Sequence, residues 1–347
     1  KTVVALLAML IAIENGYQAA FMAPTEILAE QHFMTLKSFL NGLPVNVRLL
    51  IGCQRARLRE DVMEDVRRGS AQLIVGTHAL IQESVEFAKL GLAVIDEQHR
   101  FGVTQRVALV GKGKAGGGDP SHPDVLVMTA TPIPRTLSLT IFGDLDVSVI
   151  DEMPLNRKPI QTVVRFDSER DLIHRFVREQ LGKGRQAYII YPLIEESEKL
   201  DLKAATESYE VLKTTVFKDR KVGLIHGRMP AEEKESIMAA FKRGELDLLA
   251  ATTVIEVGID IPNAAVMVIE HAERFGLSQL HQLRGRVGRG RKVSHCYLAT
   301  EKSSSENAQR RLEVMERTND GFEIANEDLA IRGPGDLLGS KQAGLEL

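Results

Sequence analysis

An apolar run, Leu92-Ala93-Val94-Ile95, ends abruptly in two adjacent carboxylates, Asp96 and Glu97. A buried parallel strand delivers side chains in this way to the carboxyl edge of an α/β sheet, where such sheets bind their ligands. Neighbouring residues at a strand end point in different directions. Asp96 can therefore face a hydrated Mg2+ while Glu97 faces an attacking water, two tasks that phosphoryl transfer sets at adjacent points. Taken alone, the pair reads equally well as a charged turn after a buried strand. His99 has no second His or Cys at ligand spacing, so the stretch does not point to a zinc-type centre.

The neighbouring segments decide between these readings. Lys1-Thr2 precedes an apolar run of eleven residues, Val3 to Ile13, which stops at Glu14-Asn15-Gly16. A membrane span needs about 20 such residues, and Gly at the end is a helix stop, so the run reads as a buried helix and not as a leader or anchor. Ala19 to Ala23 is a strand, and Pro24-Thr25-Glu26 opens a helix over Ile27 to Leu40. A strand (Val45 to Ile51), an amphipathic helix (Arg55 to Arg68) and a strand (Leu73 to Val75) with exit loop Gly76-Thr77-His78 follow. After the Asp96 strand comes Val125 to Met128, which runs into Thr129-Ala130-Thr131-Pro132. This alternation predicts a doubly wound α/β domain. Gly111 to Asp119 lacks a Lys-Thr or Lys-Ser ending and a following helix, so it reads as a surface loop.

Asp151 to Pro159 carries two prolines without periodicity and reads as a connection between domains. A second α/β series follows: strands at Ala187 to Tyr191 and Val222 to Ile225, the latter ending in His226-Gly227, then a helix opened by Pro230 with Glu232 and Glu233 on its positive pole. Leu246 to Ala251 exits into Thr252-Thr253, and Ala265 to Ile269 and Ser294 to Leu298 complete the set. The expected domains are 1–152, 153–302 and a C-terminal segment 303–347, and 347 residues suffice for two cores. A net charge of −3 gives no general affinity for nucleic acid, so any such contact must come from local patches. Cys53 and Cys296 fit no metal or disulfide framework and read as free thiols of a reducing cytoplasm.

Gln282 to Lys292 is the densest positive stretch, with five cations among interleaved glycines. It can be a solvated loop or a nucleic-acid patch. Arg286 and Arg289, three apart, are expected to share one side of a helical turn, which would let two guanidiniums converge on phosphate charge. At the other end of the chain, Lys1-Thr2 is the right-hand half of G-x-x-x-x-G-K-[ST], in which Lys reaches phosphates and the hydroxyl binds Mg2+. The glycines are not present and the sequence opens mid-pattern, so it is read as a fragment of something longer. Without their backbone N–H cradle it is expected to hydrolyse ATP negligibly.

Seven ordered strings resemble the RecA-like motor of superfamily 2 helicases: Ala23 to His32, Gly76 to Gln82, Asp96 to Val103, Met128 to Thr136, Pro192 to Ser197, Thr252 to Gly258 and Gln279 to Gly290. Their detail is similar to the RecG family of ATP-dependent DNA helicases, which remodel stalled forks and Holliday junctions. Transcription-repair coupling translocases share the motor, but their acid box reads D-E-E-Q-R-F-G, and Asp96-Glu97-Gln98-His99 favours the RecG family. The resemblance implies two RecA-like parallel-sheet domains in tandem with a C-terminal helical hairpin. It also implies ATP and Mg2+ as cofactors, held by Lys1 and Thr2, with Asp96 orienting the metal and Glu97 acting on the water. Thr129 and Thr131 would couple hydrolysis to movement, Gly258 and Asp260 would approach the nucleotide, and Gln282, Arg286 and Arg289 would complete the site. DNA, branched or duplex, would be held through its backbone by Pro24, Thr25, Gly52, Thr77, His78, His226, Gly227, Thr252 and Thr253, with little sequence readout. The implied protein is a cytoplasmic, monomeric motor with no membrane partner; the other reading is an inactive RecA-like scaffold, against which the intact Glu97, Arg286 and Arg289 argue.

The last segment predicts a hairpin. Leu312 and Met315 lie at helical spacing in Gln309 to Arg317, Asp320-Gly321 signals a turn, and Phe322 to Ala325 begins a second apolar stretch. The resemblance adds a loop bearing Arg332, Lys341 and Gln342 as a lever on DNA. Two positions depart from the family pattern, Cys53 where Ser is usual and Lys341 where Arg is usual.

Overall fold

The computed structural model describes residues 1–97, 111, 123–129, 146–150, 152, 158–192, 198–252, 261–290, 292–302 and 305–332. The chain divides into two units, Lys1–Ala130 and Thr131–Leu347.

In the first unit the order is α1 (Thr2–Glu14), β1 (Gln18–Met22), α2 (Glu26–Phe39), β2 (Val47–Leu50), α3 (Ala56–Arg67), β3 (Leu73–Gly76), β4 (Leu90–Ile95) and β5 (Asp124–Val127). The strands are parallel and lie in the order β2-β3-β1-β4-β5. β1 and β3 are buried at every residue, which is why they read as continuous small and apolar runs without alternation. The buried amide of Gln18 joins three segments, donating to Val66 O at 2.9 Å and Ala71 O at 2.7 Å and accepting from Lys89 N–H at 3.0 Å. Gly76 is required where β3 passes β2: a Cβ there would stand 2.3 Å from Leu50 O.

Helix α1 corrects one expectation. Ala5, Leu6, Met9 and Ile13 are buried, but Val3, Val4, Leu7 and Ile11 are exposed, so the helix is buried on one face only. A helix apolar all round carries no periodicity from which that face could be read. It stops as expected, with Gly16 at φ +78° just past the Asn15 cap.

The second unit contains β6 (Gln161–Phe166), α4 (Arg170–Gly182), β7 (Gln186–Tyr191), α5 (Glu198–Val211), β8 (Val222–Ile225), α6 (Ala231–Lys242), β9 (Leu248–Thr252), β10 (Ala264–Ile269), α7 (Leu277–Arg284), β11 (His295–Thr300), α8 (Glu306–Arg317) and α9 (Gly321–Arg332). Its sheet is also parallel, in the order β6-β11-β10-β7-β9-β8. β6 escaped the sequence reading because it is an edge strand, buried only at Thr162 and exposed at both ends. The hairpin α8–α9 is built into this unit: Leu312, Val314, Met315 and Ile324 share a core with Ile160, Leu283 and Leu298. Among the described residues, no helix is long and apolar enough to cross a membrane.

Candidate active site

Topology collects the predicted residues of the first unit along one line. The carboxyl ends of β1, β3, β4 and β5 lead into Pro24-Thr25, Thr77-His78, Asp96-Glu97 and Met128-Thr129. Backbone bonds lock the neighbouring ends together, Asp96 N–H to Met22 O at 2.9 Å and Met128 N–H to Ile95 O at 2.8 Å. Lys1 at the head of α1 donates from Nζ to Thr129 O at 2.6 Å, which places the ammonium on this edge beside the half-buried Thr2. Asp96 is held from two sides, its Oδ1 accepting the Glu97 N–H at 3.1 Å and its Oδ2 lying 2.9 Å from His32 Nε2. Glu97 has φ +51°, one of two positive values outside glycine among the described residues. A left-handed residue of this kind costs about 1–2 kcal/mol, and it turns the backbone out of the line of β4 directly after Asp96. An ammonium, a hydroxyl and a pair of carboxylates on one edge form the donor set that suits a nucleotide with its divalent cation.

The cationic stretch resolves into three environments, and one expectation fails there. α7 ends at Arg284, so Arg286 and Arg289 lie in the turn beyond the helix and not along one side of it. Gly288, at φ +77°, makes that turn; a Cβ there would stand 2.8 Å from Ile160 Cγ1, and one on Gly290 would stand 2.6 Å from Pro262 O. Gln282 and Arg286 are half-buried, whereas Arg289 is exposed and donates from Nε to Gly285 O at 3.3 Å. Arg284 has a different fate, being only 2% exposed. Its Nη1 donates to Met315 O and Thr318 O, both at 2.8 Å, and to Thr162 Oγ1 at 3.3 Å, while Nη2 lies 3.3 Å from His281 Nδ1. It fastens α7, and with it the arginine turn, to the end of α8. Nothing in a glycine-spaced run of cations distinguishes this buried arginine from its neighbours.

The loops expected to meet DNA are placed as follows. Thr25 is half-buried and caps α2, accepting the Leu28 N–H at 3.4 Å. Gly52 is exposed, and the loop it begins is held by Glu26, whose Oε1 accepts the Cys53 N–H at 3.1 Å and would stand 3.0 Å from a Cβ at Gly52. A hydrogen bond of the thiol itself to Glu26 and, after it, burial push the Cys53 thiol up to about 11, which keeps it protonated. His78 is exposed, but Thr77 and Thr252 are buried and their hydroxyls have no hydrogen-bond partner among the described residues. The structure therefore does not bring those two hydroxyls to the surface. His226 is half-buried, its imidazole held below the usual range by burial and then by Lys234, and Gly227 O accepts from Lys234 Nζ at 2.6 Å. Thr131, Thr253, Gly258, Asp260, Lys341 and Gln342 lie outside the described residues, and Arg332 ends α9.

Two parallel sheets, one edged with Lys1, Thr2 and paired acids and the other leading into a glycine-spaced arginine turn, define a tandem RecA-like helicase fold. Residues 1–140 match the DEAD/DEAH box helicase family, residues 159–291 the helicase conserved C-terminal domain, and residues 318–347 the C-terminal part of domain 3 of ATP-dependent DNA helicase RecG. The chain is 55% identical over 345 residues to the ATP-dependent DNA helicase RecG of Synechocystis sp., covering 99% of this chain and 41% of that protein. With its counterpart in Aquifex aeolicus it is 54% identical over 347 residues, covering 99% and 43%. It superposes with a TM-score of 0.78 and 47% identity on a structure of RecG bound to a three-way DNA junction, covering 96% of this chain and 43% of that one. Over nearly its whole length the chain is similar to RecG helicases, and it spans less than half the length of the curated relatives it matches.

Proposed function

We propose that this chain is the ATP-driven motor of a DNA helicase that remodels branched DNA, working as a monomer in the cytoplasm. The observation that carries the reading is the first sheet's carboxyl edge, where Lys1 donates to Thr129 O, Asp96 accepts the Glu97 N–H, and the Met128–Ile95 backbone bond joins the two strand ends. When bound, Mg2+·ATP supplies the phosphoanhydride to be cleaved and the cation that polarises it. Lys1 would pair with its phosphate, and Thr2 and Asp96 would hold the hydrated metal. Glu97, at the left-handed turn after Asp96, positions the water and accepts its proton. Gln282, Arg286 and Arg289, with Gly258 and Asp260, are the second unit's candidates for offsetting phosphate charge. Thr129 and Thr131 report hydrolysis to the rest of the motor. Thr129 suits this role because its carbonyl already binds the phosphate lysine.

DNA is held by its backbone through the loops at Pro24, Thr25, Gly52, His78, His226 and Gly227, together with Thr253; the buried hydroxyls of Thr77 and Thr252 are left out of this contact. The hairpin then acts as the mechanical output. Arg284 ties the arginine turn to Met315 and Thr318 at the end of α8, a route from the hydrolytic site to α9 and onward to the loop of Arg332, Lys341 and Gln342. The relative solved on a three-way junction supports branched DNA as the substrate class.

The test uses the full-length protein with no DNA, linear duplex and a three-way junction. The junction should stimulate ATP turnover most and should be unwound. Glu97→Gln should abolish both activities while nucleotide binding persists, and Arg289→Ala should lower turnover by about 10³-fold. A wild-type protein whose ATPase ignores DNA would refute the reading.

A further inference from the structure

Helix α2 has two ends with different tasks. At its head stand Pro24 and Thr25, on the loop read above as a DNA contact, and seven residues later, about two turns along and on the same face, stands His32. His32 reaches back over the sheet edge to Asp96, with Nε2 2.9 Å from Oδ2. An ionised carboxylate only accepts, so the imidazole is the donor. Since Oδ1 of the same carboxylate already accepts the Glu97 N–H at 3.1 Å, both oxygens are engaged. Each keeps a lone pair, and the group as a whole is locked in one orientation, as the outer partners of metal-site ligands commonly achieve.

The ring itself has little freedom. Its side chain is 14% exposed, and its centroid lies 4.5 Å from that of Phe21, at an interplanar angle of 45°. Phe21 is fully buried in β1, the strand that leads into Pro24-Thr25. His32 therefore moves with α2 and β1 and not as a free surface residue. A shift of the loop at Thr25 would therefore have a short route to Asp96, along α2 and across one hydrogen bond.

We propose that His32 is a positioning residue of the nucleotide site that couples DNA contact at the head of α2 to the metal-orienting Asp96. The inference rests on the ATPase reading given above. Coupling of this kind is reciprocal: if DNA improves the hydrolytic edge through His32, nucleotide must change DNA affinity through the same residue. A histidine that merely fills space beside Phe21 would show neither effect.

The experiment uses full-length protein carrying His32→Phe, which keeps an aromatic ring and removes the donor, or His32→Gln, whose amide nitrogen can reach the position of Nε2. Two quantities are read: the ratio of junction-stimulated to DNA-free ATPase, and the change in junction affinity, by fluorescence anisotropy, on adding Mg2+ with a non-hydrolysable ATP analogue. In His32→Phe the ratio should fall by about tenfold or more and the nucleotide-linked affinity change should shrink to less than about twofold, with His32→Gln recovering most of both. Unchanged ratio and linkage in His32→Phe would overturn the proposal. So would equal loss in Phe and Gln accompanied by a lowered Tm, because that is the signature of packing alone. If the wild-type protein shows no stimulation by DNA, the ATPase reading itself falls, an outcome separable from failure of the variants alone.

Discussion

At the end of β4 the chain places Asp96 and Glu97; at the end of β10, the strand in the same position of the second sheet, it places Glu270 and His271. The order β2-β3-β1-β4-β5 is repeated as β8-β9-β7-β10-β11, with β6 added outside β11. The second residue of each pair is left-handed, Glu97 at φ +51° and His271 at φ +49°. The chain reversal is therefore shared, and the chemistry is not. Asp96 is held by donors from His32 and the Glu97 backbone. Glu270 lies 2.8 Å from the guanidinium of Arg170, which heads α4 as Lys1 and Thr2 head α1. In the second sheet the cation at the helix head is committed to the acid at the strand end. In the first, Lys1 binds a carbonyl, and the Asp96 carboxylate is held by His32 and a backbone N–H instead. If the first edge is hydrolytic as proposed, it differs from the second by where a single positive charge is placed.

The largest effect should separate the two left-handed residues. In the full-length protein, Glu97→Gln should lower DNA-stimulated ATP turnover by about 10²–10⁴-fold, the range for a lost general base, whereas His271→Gln should leave it within about threefold, since His271 bonds Glu273 and not the reacting groups. Comparable losses in the two variants would end the functional distinction between the edges.

The cations of the Arg284 stretch extend the comparison. Arg284→Met leaves two backbone carbonyls and a hydroxyl without their donor, so it should destabilise the second unit by about 2–4 kcal/mol. Arg289→Met, at an exposed position, should stay within about 0.5 kcal/mol. Denaturant unfolding gives the totals, and hydrogen exchange should locate the Arg284 loss in α7 and α8. If exchange rises equally in the first unit, the local account of Arg284 is wrong.

Arg170→Ala tests the neutralised edge. Removing a partner from the nearly buried Glu270 should cost about 1–3 kcal/mol, reduced from the fully buried range because Arg170 is 39% exposed and screened by solvent. The pH dependence has a definite sign. Burial holds the Glu270 carboxyl above its usual range, with Arg170 opposing. Folded Glu270 then binds its proton more tightly than the unfolded chain does, so its contribution to stability falls as pH rises through the carboxylate range. Without Arg170 the fall is steeper, and the penalty should be greater near pH 7 than near pH 4. A penalty independent of pH would show that the pair is not an electrostatic one.

How much of this the sequence disclosed depends on the range of the interaction that fixes each feature. Strands buried on both faces, such as Leu90–Ile95 and Ala264–Ile269, announce themselves as uninterrupted apolar runs, and their ends give the Asp96-Glu97 pair directly. β6 does not, because an edge strand carries neither a continuous nor a cleanly alternating pattern. The α2 spacing from Thr25 to His32 was available, but that His32 meets Asp96, 64 positions away, follows only from the strand order. Arg284 and the Arg170–Glu270 pair, 100 positions apart, are likewise tertiary facts. Charge in a sequence does not say whether it will be solvated, paired or committed to carbonyls.

The smallest effect concerns two helix caps that do the same local work on different edges. Thr25 accepts the Leu28 N–H at 3.4 Å at the head of α2, and Ser305 accepts the Ala308 N–H at 3.4 Å at the head of α8. Both bonds are long, so Thr25→Ala and Ser305→Ala should each cost about 0.5–1 kcal/mol, the lower part of the range for N-caps. Equal stability losses would make the pair a matched control for function. Thr25 stands on the loop after β1, beside the Asp96 edge, whereas Ser305 heads the hairpin. If the β1 loop holds phosphate, only Thr25→Ala should also weaken junction binding, and Thr25→Ser, which keeps the hydroxyl, should restore it. The readouts are the urea midpoint and fluorescence anisotropy on junction DNA at fixed salt, since phosphate contacts are salt-dependent. Should Ser305→Ala weaken binding as much as Thr25→Ala, the effect would belong to helix stability in general and the β1 loop would lose its place among the DNA contacts.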